Sequence, residues 1–252
     1  MLLSKKIRHI HLTSIDSTNA WAKRNSPSFD SQQLTLITAK EQHSGKGRFN
    51  KKWFSPPDQN IYATIVFPVS CSQKKHIGTF TQILAVSTAN LLEEMSFSPQ
   101  LKWPNDVLLN KQKIAGILGE TVSFQNCAGI AMGIGINVNM PKSLCNTIDQ
   151  ATSSLFVESG KIWDRETIAF RLANSYLKDL QEYNEKGFHP FLSEIERLDF
   201  CKGKEILLED KENTWRGKYL SISSEGGIRM QIDQEEVKTF YSGKIRPLDT
   251  KQ

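Results

Sequence analysis

One stretch limits the fold more than any other: Lys102-Trp103-Pro104-Asn105-Asp106, then Val107-Leu108-Leu109, a polar break Asn110-Lys111-Gln112, and Lys113-Ile114-Ala115-Gly116-Ile117-Leu118-Gly119-Glu120. Two short apolar, partly β-branched runs separated by a break of loop length predict a β-hairpin. Pairing them returns Lys113 to the neighbourhood of Asp106. Pro104 holds Trp103 extended and lacks a ladder donor, which puts the polar cluster where a strand starts. Strand starts and loop ends are where sites are built, although the same charges would also suit a solvated hairpin end.

Other segments supply partners for that hairpin. Residues Ile7 to Leu12 alternate histidine with apolar side chains, predicting a first strand with His9 and His11 on one face. Asp16-Ser17-Thr18-Asn19 offers N-caps for a short helix through Ala20-Trp21-Ala22-Lys23, and helix starts also present free backbone donors to a ligand. Leu34 to Ala39 and Ile61 to Phe67 read as strands, the latter with Ile61, Ala63, Ile65 and Phe67 at period two. Between them, Glu41 to Pro56 holds Gly45 and Gly47 around Lys46, with Arg48, Lys51, Lys52 and interleaved aromatics including Trp53. Such a loop lets backbone approach an anion that its cations neutralise, or it is a mobile basic surface loop; it is not a Walker A motif.

Ile77, Phe80, Leu84, Thr88, Leu91, Leu92 and Met95 step by three and four with Glu93 and Glu94 opposite, predicting a core-packing helix. Ala128 to Asn139 is a glycine-rich buried strand; Gly133-x-Gly135 lacks the third glycine and following helix of a dinucleotide fingerprint, so its glycines point to a close approach by another backbone or a ligand. A longer helix starts at the N-cap Asp164 and carries Ile168, Leu172, Tyr176, Leu180 and Tyr183, and a short amphipathic piece reaches Leu198. From Gly203 the pattern changes to short strands and turn signals, through Glu205–Leu208, Asp210–Asn213, Thr214–Ile222, Ser223–Gly227, Ile228–Ile232, Val237–Tyr241 and Ile245–Leu248. The expected architecture is α+β: a main unit over residues 1–200 built on a mixed sheet with flanking helices, and a small antiparallel β unit over 201–252.

The 252 residues can bury a proper core, and 38% hydrophobic with 23% charged residues leaves no reason to expect long disorder. A net charge of +5 favours an anionic ligand as readily as nucleic acid. Cys71, Cys127, Cys145 and Cys201 are scattered without a Cys-x-x-Cys pair, which indicates neither a zinc knuckle nor a disulfide framework and fits a reducing cytoplasm. The apolar start at Met1 to Ile7 is too short for a signal peptide, and no run reaches membrane-spanning length.

Four stretches in this order resemble the biotin protein ligases: Ser17-Thr18-Asn19; Gly45-Lys46-Gly47-Arg48 through Trp53; Lys102 to Asp106 with Lys113-x-Ala115-Gly116-Ile117-Leu118-x-Glu120; and Gly135-Ile136-Asn137. The third is long and specific, and the likeness runs from about Ile10 to the end. It implies a catalytic domain like that of class II aminoacyl-tRNA synthetases with a C-terminal SH3-like β-barrel. It also implies an enzyme that activates biotin with ATP and Mg2+ to biotinyl-5′-adenylate, then biotinylates a lysine of a biotin carboxyl carrier domain of a carboxylase such as acetyl-CoA carboxylase. The alternatives are a lipoate or octanoate ligase of the same fold, disfavoured by the biotin-type signature, and a biotin-sensing regulator without turnover. Fewer than twenty residues precede Ser17, too few for a winged helix-turn-helix, so the expectation is a monofunctional enzyme without a DNA partner or a membrane. Open sheet edges leave room for a homodimer.

The resemblance assigns catalysis to Lys113, Arg48 and Asp106, with Asp106 orienting or deprotonating the acceptor lysine. It assigns biotin binding to Ser17, Thr18, Asn19, Gln42, Gly45, Lys46, Arg48, Lys113 and Gly116. ATP and the adenylate fall to Lys46, Arg48, Lys51, Trp53, Asn105, Lys113 and Asn137. No protein metal ligands are implied. The family's loop is commonly richer in Gly-Arg repeats, whereas here lysine stands at 46 and 51, phenylalanine at 49 and asparagine at 50. Lysine lacks arginine's bidentate fork, which predicts weaker adenylate retention.

Overall fold

The computed structural model describes residues 6–233 and 236–248. The first five residues of the expected leaderless start, and residues 234–235 and 249–252 of the expected C-terminal unit, lie outside that description. Strand β1 (Ile7–Ile15) is followed by Ser17, whose hydroxyl accepts from the Ala20 N–H and caps α1 (Thr18–Asn25). The chain returns as β2 (Leu34–Gln42) parallel to β1, then as β3 (Ile61–Val69) antiparallel to β2. All nine residues of β3 are buried, not only the alternate set that the sequence suggests. Both its faces are covered: Ile61, Ala63, Ile65 and Phe67 join the cluster under the long helices, while Val66 on the other face packs with Ala22 of α1, Ile37 and Ala131.

Helix α2 (Ile77–Glu94) is likewise buried over most of its circumference from Thr79 to Leu92, a central helix where the sequence pattern suggests a stripe. The hairpin region follows as β4 (Pro99–Lys102), β5 (Asp106–Leu109) and β6 (Gln112–Ser123), and β7 (Ala128–Ile136) returns beside β6. The sheet is mixed, in the order β1-β2-β3-β7-β6-β5-β4. Trp103 is not the extended lead into a strand that Pro104 suggested: Trp103, Pro104 and Asn105 form the turn between β4 and β5, with a cis peptide before Pro104.

The β5–β6 turn is only Asn110-Lys111, both at positive φ (47° and 64°), as a two-residue hairpin loop with the twist of its strands requires. Leu108 then pairs with Lys113, but a bulge intervenes, and Val107 pairs with Ala115 and Asp106 with Gly116. The extra residue reverses the alternation once. Ile114 and Ala115 are both buried, while Lys113 and Gly116 come to the same face as Asp106.

Short helices α3 (Lys142–Cys145) and α4 (Leu155–Ser159) lead to α5 (Arg165–Lys186), capped by Asp164, and α6 (His189–Leu198). The last strands are β8 (Glu205–Glu209), β9 (Thr214–Ile222), β10 (Ile228–Gln231), β11 (Val237–Phe240) and β12 (Lys244–Pro247). Asp210–Asn213 and Ser223–Gly227 are the turns between strands; in the first, Asp210 Oδ1 accepts from the N–H groups of Glu212 and Asn213. These strands form one antiparallel sheet ordered β11-β10-β9-β8-β12, with no β11–β12 pairing among the described residues.

The two sheets are tied together by buried bonds. Gly226, at φ 82° in the β9–β10 turn, offers one carbonyl to two donors: Gln82 Nε2 of α2 at 2.7 Å and Trp103 Nε1 at 3.1 Å. Phe200 N–H donates to Leu101 O at 2.8 Å, and the Tyr219 hydroxyl donates to Asp199. Burial raises the Asp199 carboxyl pKa, and the Tyr219 bond only partly opposes it. All four cysteines are free thiols.

Candidate active site

A cavity of about 470 Å³ opens over the face that carries Asp106, Lys113 and Gly116. That is room for a small ligand rather than a macromolecule. Ser17, Thr18, Asn19, Gln42, Lys46, Arg48, Lys51, Trp53, Asn105, Asp106, Lys113 and Gly116 all line it, so three sequence-distant motifs meet in one place. Gly45 and Asn137 do not. Gly45 lies behind the wall, where a Cβ would sit 2.7 Å from Trp53 O and 2.8 Å from Ser55 Oγ. Asn137 is 3% exposed, and its Nδ2 donates to Ser153 O at 3.0 Å, which makes it a brace between β7 and the 151–153 segment.

One wall is a chain of polar groups. Gln42 Oε1 accepts from Thr18 N at 2.9 Å and from Thr18 Oγ1 at 3.2 Å, while Gln42 Nε2 donates to Ser55 Oγ at 3.0 Å. Thr64 Oγ1 is within 2.8 Å of Thr18 Oγ1 and 2.7 Å of Asn19 Oδ1. Asn19 Nδ2 reaches Leu118 O and Glu120 Oε2, both at 3.0 Å. Its amide is engaged on both sides, so Asn19 ties α1 to β6 and holds Ser17 and Thr18 against the cavity. Buried polar groups satisfied in this way are rigid, which is what hydrogen-bond recognition of a small polar ring requires.

The floor is made of glycine. Gly116 and Gly135 are cross-strand partners, and the Trp53 indole lies across both. A Cβ on Gly135 would stand 2.2 Å from Trp53 Cε2, and one on Gly116 would stand 2.9 Å from Trp53 Cζ3 and 3.0 Å from Lys113 Nζ. The close approach anticipated for the glycines of β7 is therefore made here by Trp53 and, at Gly133, by Asn19. Trp53 Nε1 is buried without a hydrogen-bond partner among the described residues.

The charged end is built on the bulge. Lys113 Nζ is 2.7 Å from Asp106 Oδ1, with side-chain exposures of 16% and 22%, and sits 5.3 Å from the Trp53 ring centroid. Its backbone is pinned on the far side, since Lys113 N donates to Ala151 O and Ser153 N to Lys113 O. Arg48 reaches in from the Gly45–Trp53 loop. Its Nη1 is 3.2 Å from Asn105 Oδ1, and burial pulls its pKa down while Asp106 opposes the shift; arginine stays charged regardless. With Lys46, Lys51 and Lys102 on the rim, cations outnumber the lining carboxylates Asp106 and Asp149. Such a cluster binds a polyanion and screens the repulsion between two anions brought together.

The sequence did not point to Thr64, to Asp149 and Gln150, or to Gly243, Lys244 and Ile245, which also line the cavity or its wall. They arrive from the middle of a strand, from an irregular loop and from the second sheet, and no local pattern marks them.

Residues 11–137 match the sequence profile of the biotin/lipoate A/B protein ligase family. The chain is 29% identical over 238 residues to the bifunctional ligase/repressor BirA of Escherichia coli, spanning 93% of this chain and 72% of that protein. It is 31% identical over 183 residues to a biotin–[acetyl-CoA-carboxylase] ligase of Paracoccus denitrificans, over 71% of this chain and 75% of that one. Among solved structures it superposes on the biotin protein ligase from Aquifex aeolicus in complex with biotin and ATP, with TM-score 0.81, 28% identity, and coverage of 96% of this chain and 99% of that chain. The profile match over half of the chain and the superposition over 96% of it agree, and the chain belongs to the biotin/lipoate A/B protein ligase family.

Proposed function

We propose that this chain is a biotin protein ligase that condenses biotin with ATP to biotinyl-5′-adenylate and transfers the biotinyl group to a lysine of a carboxylase's biotin carrier domain. The observation that carries the reading is the Lys113–Asp106 pair at 2.7 Å, set on a glycine floor and faced by Arg48. In the first step a biotin carboxylate oxygen attacks the α-phosphorus, and the bond to the bridging oxygen of pyrophosphate breaks. Both reactants are anions, so Lys113, Arg48 and Lys46 act by screening and positioning them.

When the phosphate takes Lys113, Asp106 loses its partner and is free for the incoming ammonium group. Asp106 takes one proton from that ammonium group, the resulting amine attacks the biotinyl carbonyl, the bond to the phosphate oxygen breaks, and the second amine proton leaves to the departing AMP phosphate or to water. Ser17, Thr18 and Gln42 suit the ureido ring of biotin, with Gly116 giving close backbone approach, Asn19 holding the wall and Gly45 packed behind it. Trp53, Asn105 and Lys51 fall to the adenylate side, while Asn137 braces the strand behind them. Among the described residues no three His, Cys, Asp or Glu side chains gather as a metal site. Magnesium is read as travelling with the nucleotide phosphates, whose charge it offsets.

We read residues 1–200 as the catalytic unit and 201–252 as a C-terminal unit that completes it. None of the described helices is long and apolar enough to cross a membrane, and the cytoplasm is the compartment that suits free thiols. β1 ends the larger sheet with an unpaired edge, which a second copy could extend.

The test is transfer of labelled biotin to a purified carrier domain, with ATP–pyrophosphate exchange as the readout of the first step. Lys113→Ala is expected to lower both by about a hundredfold or more. Exchange supported by lipoate or octanoate and not by biotin, or an unaffected variant, would overturn the assignment.

A further inference from the structure

Arg48 donates to three neutral oxygens, and its guanidinium also lies 4.8 Å from the Phe49 ring centroid. Nη1 donates to Asn105 Oδ1 and to Gly243 O, both at 3.2 Å, and Nη2 to Ser242 Oγ at 3.3 Å. Two of those three contacts come from the second sheet, from the turn between β11 and β12. That turn is a firm support. Gly243 is buried, and a Cβ there would lie 3.0 Å from Leu208 Cδ2 and 3.2 Å from Glu209 O, so the turn is packed down on β8 with its carbonyl aimed at Arg48. The sheet beneath it is anchored to the larger one through Gly226, Gln82 and Trp103.

The loop that carries Arg48 is held at its base by the Lys46–Lys52 bridge and by Trp53 on the glycine floor, but its tip has few bonds of its own. Its internal bonds are Gly47 N to Lys51 O at 2.7 Å, Lys51 N to Arg48 O at 3.2 Å and Trp53 N to Gly45 O at 2.9 Å. Its tip is made by Phe49 and Asn50 at φ 56° and 58°, a conformation that side-chain-bearing residues disfavour. Phe49 is 50% exposed, so burial does not offset that conformation.

We infer that the Ser242–Gly243 turn is a latch that holds the Gly45–Trp53 loop closed over the cavity, with Ser242 a positioning residue acting through Arg48. Because the anion would bind beside Arg48, the latch also governs how long an activated intermediate stays enclosed; that clause rests on the ligase reading, whereas the loop contact does not.

Hydrogen–deuterium exchange of the unliganded protein decides the contact, read on peptides covering residues 45–53. Ser242→Ala removes one hydrogen bond to a cation and leaves the Gly243 carbonyl in place, so exchange at the Gly47 and Trp53 amides should rise roughly threefold to tenfold. Ser242→Asp replaces the hydroxyl with a carboxylate facing Arg48 and should slow the same amides. Ser242 is exposed in a turn, and thermal midpoints should not move in either variant. Unchanged exchange in both variants, or a change spread over the whole chain, overturns the latch whether or not the protein makes an adenylate.

In the second arm, preformed biotinyl-adenylate should leave Ser242→Ala severalfold faster than wild type while pyrophosphate exchange is retained. Equal release refutes control of the intermediate. Failure of the wild type to form any biotinyl-adenylate would instead strike the proposed function, leaving the exchange arm to judge the loop.

Discussion

Gly135→Ala puts one methyl group where the Trp53 indole now lies. The new Cβ would stand 2.2 Å from Cε2, 2.3 Å from Nε1 and 2.5 Å from Cζ2 of that ring. Ordinary carbon contacts are about 3.5–4.0 Å, so the ring must retreat by roughly 1 Å or more. Simple withdrawal is blocked, because Trp53 N is bonded to Gly45 O at 2.9 Å and Lys46 bridges Lys52. The indole must therefore tilt off the floor, into the space beside Lys113. Overpacking of this kind costs about 1–3 kcal/mol.

If that cost falls on the loop and not on the sheet, the closed site weakens by roughly fivefold to a hundredfold or more at 1.4 kcal/mol per factor of ten. The global fold should lose little: even about 1 kcal/mol lowers the melting temperature of a chain this long by only about 2–4 °C. The assay is biotin-dependent ATP–pyrophosphate exchange at subsaturating biotin, with thermal unfolding alongside. Gly78→Ala in α2 is the control, since its added methyl meets nothing within 4 Å and alanine is the better helix former. Unimpaired exchange in Gly135→Ala would refute the claim that Trp53 is seated on the glycine floor, and equal losses in both variants would refute the localisation of the effect.

Two further outcomes test how the sheets are joined. Trp103→Phe keeps an aromatic ring at a position that is 6% exposed but removes one of the two donors to Gly226 O together with part of the buried indole; a destabilisation of about 1–3 kcal/mol is expected by chemical denaturation, and no change would show that bond to be idle. Asp199 has a folded-state pKa raised by burial, so the fold prefers its protonated form, and its contribution to stability falls as pH rises from the ordinary carboxylate range through the raised value. Asp199→Asn removes that dependence. Its stability relative to wild type should therefore improve between pH 4 and pH 7, and a gap between the two proteins that is constant with pH would contradict the assignment.

Periodicity gave most of the elements, and the family resemblance named twelve of the residues that line the cavity. Strand, turn and helix signals act over a few residues, which is why a hairpin break within Asn110–Gln112, an N-cap among Asp16–Asn19 and the Asp164 cap could be expected from local chemistry. Only the tertiary structure decided the rest. The bulge opposite Val107 and Leu108, which brings Lys113 and Gly116 onto the face of Asp106, depends on burying Ile114 and Ala115 together. The full burial of β3 and α2 depends on what covers their second faces, and period-two or period-3.6 patterns do not record a second neighbour.

The separation is clearest at three residues. Trp103 reads as part of a catalytic signature but anchors one sheet to the other through Gly226, and Asn137 reads as a ligand group but braces β7. Arg48 is legible as a cation in a glycine loop, but its partners Ser242 and Gly243 lie nearly two hundred residues away, and no pattern within a window of sequence can name a contact made across that distance.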